Sequence, residues 1–194
     1  MEKRLKEQQG FTLIETLIAI FILTLTVGGL LTMAASGYFS VRYARNQIVA
    51  DSLIQESLEY IRNDRDSAAQ AGAGFWTTWE NKYNACTTTA GCIVDPYTST
   101  ITDHVQGCQS SGCPVITYYP SVGFYGYKTH AYPDIGQGSA TPYDTTYVRT
   151  ITMQHGSNAD TGQDQMVVTV TITWSNGSSS KTSSQSILLT NWNL

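Results

Sequence analysis

The sequence predicts an α+β protein in which a long N-terminal helix packs on a C-terminal antiparallel β-sheet. Residues 16–41 contain no charged side chain, and residues 42–66 repeat apolar positions mostly at spacings of three and four. These two patterns are typical of a helix that is apolar on all sides at first and then on one side only. Residues 168–174 alternate between apolar side chains and threonine, which is typical of a strand with one buried face.

The chain divides into four predicted segments. A polar leader covers residues 1–10, and an apolar helix covers residues 11–40. About 20 apolar residues of helix cross a bilayer, so the second segment is long enough to span a membrane. An amphipathic helix over residues 41–66 then leads into an exported, β-rich globular head over residues 67–194.

Charges at the two ends of the apolar helix bear on its orientation in a membrane. Lys3, Arg4 and Lys6 in the leader favour a cytoplasmic N-terminus and an exported head. Arg42 and Arg45 lie just beyond the span and oppose that orientation, so charge alone leaves it open. A secretory signal places its small-residue cleavage site after the apolar run, whereas here the glycine that ends the leader precedes it.

The head is predicted to contain five strands after the helix ends. The Gly-Ala-Gly sequence at residues 72–74 ends the helix, and residues 75–145 are irregular apart from two short strands. A turn sequence at residues 175–178 separates the last two strands. The predicted strands cover residues 115–119, 122–128, 147–154, 166–174 and 182–192.

Composition and motifs argue against several classes of function. The net charge is −4 and the basic residues form no large cluster, so we do not expect binding to nucleic acid. The sequence contains none of the short motifs of zinc peptidases, serine hydrolases or phosphate-binding loops. We therefore expect no enzymatic activity, no cofactor and no metal site.

The cysteines predict disulfide bonds in the head. Cys86 and Cys92 are six residues apart, and Cys108 and Cys113 are five apart. These gaps are longer than those of common zinc ribbons, and a head outside the cytoplasm lies in an oxidising compartment, so disulfides are preferred over a zinc site. Four cysteines allow three connectivities, and the spacing does not choose between them.

The N-terminal stretch resembles a known processing signal. The sequence GFTLIE at residues 10–15, followed by the uncharged span, is similar to the prepilin cleavage and methylation motif of type IV pilins and of the pseudopilins of type II secretion. The resemblance implies that prepilin peptidase cuts after Gly10 and that the new amine of Phe11 is methylated. It also implies that the helix first anchors the chain in the inner membrane and later packs with other pilin subunits, placed there by the pilus or secretion assembly machinery.

Glu15 is the unusual residue of this motif, because it opens an otherwise apolar span. The resemblance assigns it a charge pair with the N-terminal amine of a neighbouring subunit during assembly. A carboxylate and an amine each cost free energy in an apolar setting, and their pairing offsets much of that cost. The alternative is a solitary carboxylate at the membrane surface.

The apolar helix departs from many pilins in one respect. Those pilins carry a proline in the second half of the helix, whereas the first proline here is Pro96. Gly28 and Gly29 are expected to form a weak point of the helix instead, since each glycine costs about 1 kcal/mol relative to alanine.

The aromatic residues near the predicted short strands have two interpretations. Tyr118, Tyr119, Tyr125 and Tyr127 could present a rigid amphipathic surface for adhesion to a glycan or a protein. Strand propensity and packing explain the same pattern, and we favour packing.

The resemblance implies a structural subunit of a type IV pilus-like extracellular filament, and we expect a minor pilin. A pseudopilin of a type II secretion system is one alternative, since the same N-terminus serves both kinds of filament. A filament-tethered adhesin is the other. In each case the head lies outside the cytoplasm, in an extracellular or periplasmic filament.

Overall fold

The computed structural model describes residues 10, 12–98, 104–130, 132, 141–157, 162–177 and 179–192. The chain forms two compact units, Met1–Arg45 and Asn46–Leu194. The elements are α1 Leu13–Ala69, α2 Phe75–Lys82, a short 3-10 helix Asn84–Thr87, and the strands β1 Cys92–Val94, β2 Val105–Gly107, β3 Val115–Tyr119, β4 Phe124–Gly126, β5 Tyr143–Ser157, β6 Asp164–Asn176 and β7 Ser179–Thr190.

The N-terminal unit is the apolar part of α1. Its large apolar side chains are exposed, as Leu13 and Met33 illustrate with 80% and 75% of their surface accessible. A helix that is apolar on all sides is typical of a segment that is covered by lipid or by neighbouring helices.

In the second unit, the part of α1 from residue 46 onward packs on the sheet through one face. Leu53, Ile54, Leu58 and Ile61 are buried at spacings of three and four, as an amphipathic helix requires. They join one core cluster with apolar side chains of the sheet. Ile48, an apolar residue of the predicted amphipathic segment 41–66, is 69% exposed and lies outside the core.

β5 is the central strand of a fully antiparallel seven-stranded sheet. One of its edges pairs with β6 over residues 147–157, and β6 pairs with β7. Its other edge pairs with β3 through Val148 and with β1 through Ile151. β1 and β3 each carry one further short strand, so the sheet order is β2-β1-β5-β3-β4, with β6 and β7 on the other side of β5. The predicted antiparallel sheet is thereby confirmed.

Five strands lie where the pattern predicts them, and the irregular region is where the prediction is wrong. β3 has the predicted bounds, and the last three strands are present with shifted ends. The segment after residue 75 begins with the unpredicted helix α2, which buries Phe75, Trp76 and Trp79. The pattern missed it because an eight-residue helix has little intrinsic stability and forms only through its packing.

α1 and α2 are separated by two glycines and joined by an acidic side chain. Gly72 and Gly74 have φ angles of 91° and 82°, in the left-handed region that favours glycine. Asp64 on α1 accepts hydrogen bonds from Lys82 Nζ at 2.6 Å and from the Tyr83 hydroxyl at 3.0 Å. These bonds hold the end of α2 against α1.

The disulfides close two local loops. Cys86 is paired with Cys92, and Cys108 is paired with Cys113. The first bond joins the 3-10 helix to β1, and both of its cysteines are fully buried. The prediction that all four cysteines form disulfides is confirmed, and the structure selects the local connectivity.

Candidate functional site

The first turn of α1 is built around Thr12, which precedes the helix. The Glu15 N–H donates to the Thr12 carbonyl at 3.1 Å and to the Thr12 hydroxyl at 3.4 Å, and the Thr16 N–H donates to the same carbonyl at 3.2 Å. Thr12 therefore acts as the N-cap, and Glu15 occupies the third helical position. The spacing T-x-x-E is that of a capping box.

This geometry adds a local role for Glu15 to the role that the resemblance assigns. A carboxylate in the first turn interacts favourably with the helix dipole, typically by about 0.3–1 kcal/mol. Glu15 is exposed and lies five residues after Gly10 in the chain. A charge pair with a neighbouring amine would use the same carboxylate that supports the helix start.

Gly10 lies in exposed, non-helical backbone two residues before the N-cap. No atom would lie within 4 Å of a Cβ added to it. Exposed, uncrowded backbone is accessible to a peptidase. Phe11 and the leader before Gly10 lie outside the described residues, so cleavage and methylation stay predictions.

Hydroxyl side chains within the apolar span are satisfied by the helix itself. Thr16, Thr24 and Thr32 each donate to a carbonyl three residues earlier, at 2.8, 2.9 and 2.8 Å. A satisfied hydroxyl costs little in lipid, because it exposes no free donor. α1 is long and apolar enough to cross a membrane by length and composition, with a window of 18 residues at a mean hydropathy of 2.3.

The helix runs without a break through Gly28 and Gly29. No atom approaches within 4 Å of a Cβ added at either position. The two glycines therefore leave an open strip on the helix surface, and their role as a weak point stays a prediction.

In the head, a buried polar cluster around Arg149 is the main feature that the sequence did not predict. The guanidinium donates to the Ser57 hydroxyl at 2.9 Å, to the Tyr127 hydroxyl at 3.2 Å and to the Val94 carbonyl. Glu56 lies 3.7 Å away. Arg149 is 2% exposed, so β5 places a positive charge against α1 in the core.

The charges of this cluster are coupled. Burial by itself would lower the pKa of Arg149, but Tyr127 and Glu56 hold that pKa above its usual value. Burial raises the pKa of Glu56, and the attraction of Arg149 offsets only part of this effect. A buried arginine that lost these partners would be strongly destabilising.

Asp95 holds a second buried group directly after β1. Its carboxylate accepts hydrogen bonds from His130 Nδ1 at 2.6 Å, from the Tyr132 hydroxyl and from the Tyr97 N–H at 3.1 Å. Burial opposes ionisation of Asp95, but these bonds outweigh it and lower its pKa. Within the described part of the chain His130 Nε2 is buried and has no hydrogen-bond partner.

These polar groups tie elements of the head together through hydrogen bonds. Among the described residues no group of three or more His, Cys, Asp and Glu side chains is arranged to hold a metal ion. Both side chains of the Asp95–His130 pair are almost fully inaccessible in the described structure.

Of the candidate adhesion tyrosines, Tyr118, Tyr119 and Tyr125 are half-buried and Tyr127 is in the core. Tyr118 packs on Tyr125 at 4.9 Å between ring centroids and on Tyr143 at 5.7 Å, across three neighbouring strands. Tyr119 stacks on Phe124. Tyr127 is 1% exposed, and its hydroxyl accepts a hydrogen bond from Arg149. Its assignment to an adhesive surface was therefore wrong, and it belongs to the core.

One comparison with known families concerns the N-terminus. Residues 5–31 match the family model for the prokaryotic N-terminal methylation motif, which is the prepilin-type signal. The match covers the first turn with Glu15 and the apolar helix as far as residue 31. No curated protein matches the chain, and no solved structure matches it.

Proposed function

We propose that this chain, which carries the prepilin-type signal of type IV pilins and pseudopilins, is a minor subunit of a type IV pilus-like extracellular filament. One observation carries the proposal: a methylation motif over residues 5–31 opens a helix whose apolar part is exposed on all sides. An apolar helix of this kind is costly in water, whereas lipid or the core of a filament would cover it.

Processing is the first step of the proposed function. Prepilin peptidase cuts after Gly10 on the cytoplasmic side of the inner membrane, and the amine of Phe11 is methylated. The exposed, uncrowded backbone at Gly10 supports this step. The helix stays in the membrane as a single span, with the head exported, until assembly.

Assembly is the second step. The helices of neighbouring subunits bury their apolar surfaces against one another, and Glu15 of one subunit pairs with the Phe11 amine of the next. The assembly machinery supplies the work of extraction from the membrane. The head then lies on the filament surface.

Mass spectrometry of the cellular protein tests the processing step. We expect a mature chain that begins at Phe11 and carries one methyl group on its amine. A mature chain that still begins at Met1, or one that begins beyond the apolar span, contradicts the proposal.

Variants of Glu15 test the assembly step. We expect Glu15→Ala and Glu15→Gln to be cleaved and retained in the membrane but to be missing from filaments sheared from the cell surface. Glutamine keeps the side-chain shape and the capping-box spacing, so its failure would isolate the charge. Glu59→Gln is the matched control, because Glu59 lies on the same helix and is exposed; it should enter filaments normally. Wild-type incorporation of Glu15→Gln would show that the charge is not needed.

A pseudopilin is the alternative that shares this N-terminus. Filaments sheared from the cell surface also distinguish a pilin from a pseudopilin, because a pilus subunit is recovered in filaments outside the cell. Recovery only from a periplasmic complex with a secretion pore would favour the pseudopilin. An adhesive role of the head through Tyr118, Tyr119 and Tyr125 would add to either assignment.

A further inference from the structure

β7 forms an outer edge of the sheet, and its backbone groups lie along that edge. β6 pairs with it over twelve consecutive residue pairs, from Gln165–Thr190 to Asn176–Ser179, without a register shift. In the described part of the chain β7 pairs with no other strand. Because a strand forms hydrogen bonds on two edges, about half of the backbone groups between Thr182 and Thr190 face away from β6.

This edge lacks the features that usually block strand pairing. Natural edges are kept short, charged, bulged or interrupted by proline. β7 has 12 residues, against a typical strand of about 5–6. It has no proline and one charged residue, Lys181. Its side chains are mainly hydroxyls, so pairing here would be reversible rather than an aggregation of apolar surface.

The lengths of the available edges identify the partner strand. The two other outer strands of the described sheet, β2 and β4, have three residues each. A ladder between β7 and either of them would be short. A ladder between β7 and a second β7 is longer, because it uses most of the length of both strands.

We propose that two copies of this chain pair through their β7 edges, antiparallel and about a two-fold axis perpendicular to the sheet. We call the exposed face of the sheet that carries Ser184 and Ser186 the outward face. This axis keeps the outward faces of both sheets on one side. With the axis at Gln185, Ser184 of one copy lies opposite Ser186 of the other, and Lys181 lies opposite Leu189. No charge then faces a like charge across the ladder.

The outward face already contains the side-chain pattern that this pairing extends. The hydroxyls of Thr169 and Ser186 are 2.8 Å apart, and those of Thr171 and Ser184 are 3.0 Å apart. These cross-strand hydroxyl contacts stabilise neighbouring strands. In the pair, Ser184 and Ser186 carry the same row of hydroxyls from one copy into the other. On filaments the contact would join neighbouring filaments side by side.

Sedimentation equilibrium of the full chain in a nonionic detergent tests the pairing, and it does not require filaments to form. We expect wild type to dimerise reversibly and Ser184→Lys/Ser186→Lys to bind itself about tenfold more weakly, from two like-charge contacts across the ladder. An equimolar mixture of that variant with Ser184→Glu/Ser186→Glu should recover the wild-type affinity or exceed it.

The control is Ser111→Lys/Ser121→Lys, which adds the same charge at exposed loop positions and should dimerise like wild type. A monomeric wild-type chain overturns the proposal. Equal association of all variants also overturns it, because the contact would then lie in the apolar helix that they share. A failure of the mixed Lys and Glu variants to recover dimerisation overturns it as well.

Discussion

At the scale of single residues, buried polar side chains connect parts of the head that are distant in sequence. Arg149 on β5 donates to Ser57 on α1, 92 residues earlier in the chain. Asp95, directly after β1, accepts hydrogen bonds from His130 and Tyr132, which follow β4 in the chain. Each bond replaces water that burial removes, so the loss of one partner leaves an unsatisfied group in the core.

Asp95 makes the stability of the head depend on acid pH. Its pKa is lowered in the folded state, relative to about 3.9 in an unfolded chain. The stabilisation is therefore fully present above about pH 4 to 5 and is lost as the pH falls through the folded pKa. We expect Asp95→Asn to lower the free energy of unfolding by about 1–3 kcal/mol at pH 7 and to weaken its dependence on pH below 4.

Urea unfolding at pH 7 and pH 3 measures both effects. Tyr132→Phe removes one hydrogen bond and keeps the carboxylate, so we expect a smaller loss than for Asp95→Asn. Tyr143→Phe is the control, because Tyr143 is 55% exposed. An Asp95→Asn chain that loses as much stability in acid as wild type would contradict the account.

At the scale of elements, the two disulfides close loops of similar length in different surroundings. Cys86–Cys92 lies in the core, at the start of β1. Gly91 directly precedes β1 and lies so close to β5 that a Cβ added to it would be 2.7 Å from the Ile151 carbonyl oxygen. Cys108–Cys113 closes a partly exposed loop after β2. The first bond therefore contributes packing as well as loop closure.

We expect the two disulfides to differ in their effect on stability. Loop closure contributes about 2 kcal/mol for loops of this length in the chain-entropy model. Cys86→Ala/Cys92→Ala should cost more than Cys108→Ala/Cys113→Ala, because it also leaves a cavity in the core. Denaturant unfolding of the two double variants measures the difference, and equal losses would show that packing around the first bond adds nothing.

At the scale of the whole molecule, the boundary at residue 46 separates two kinds of surface. The helix before it is exposed and apolar, whereas the helix after it buries one face in the core of the head. The head contains its own sheet, both disulfides and the part of α1 that covers the sheet. This division suits a subunit whose two units meet different surroundings.

We expect a secreted fragment of residues 46–194 to fold with both disulfides and to unfold cooperatively. Its core is contained within the second unit, so removal of the apolar helix should change its midpoint of thermal unfolding little. The matched control is residues 70–194, which lacks Ile54 and Ile61 and should not fold. Circular dichroism and thermal unfolding of both fragments test this, and a fragment 46–194 without a cooperative transition would refute it.

Structural features that depend on neighbouring residues could be predicted from the sequence alone. The motif around Glu15, the uncharged span, the helical stripe through Leu53 to Ile61 and the alternation of β6 are local periodicities, and each element follows its own pattern. Other features depend on contacts between residues that are distant in the chain, and these became visible only in the folded structure. It buried Arg149 and Tyr127, selected the pairing of the cysteines, formed α2 by packing, and left β7 at an open edge. These outcomes follow from which surfaces meet in the folded chain, and such contacts between distant residues leave no periodic signal in the sequence.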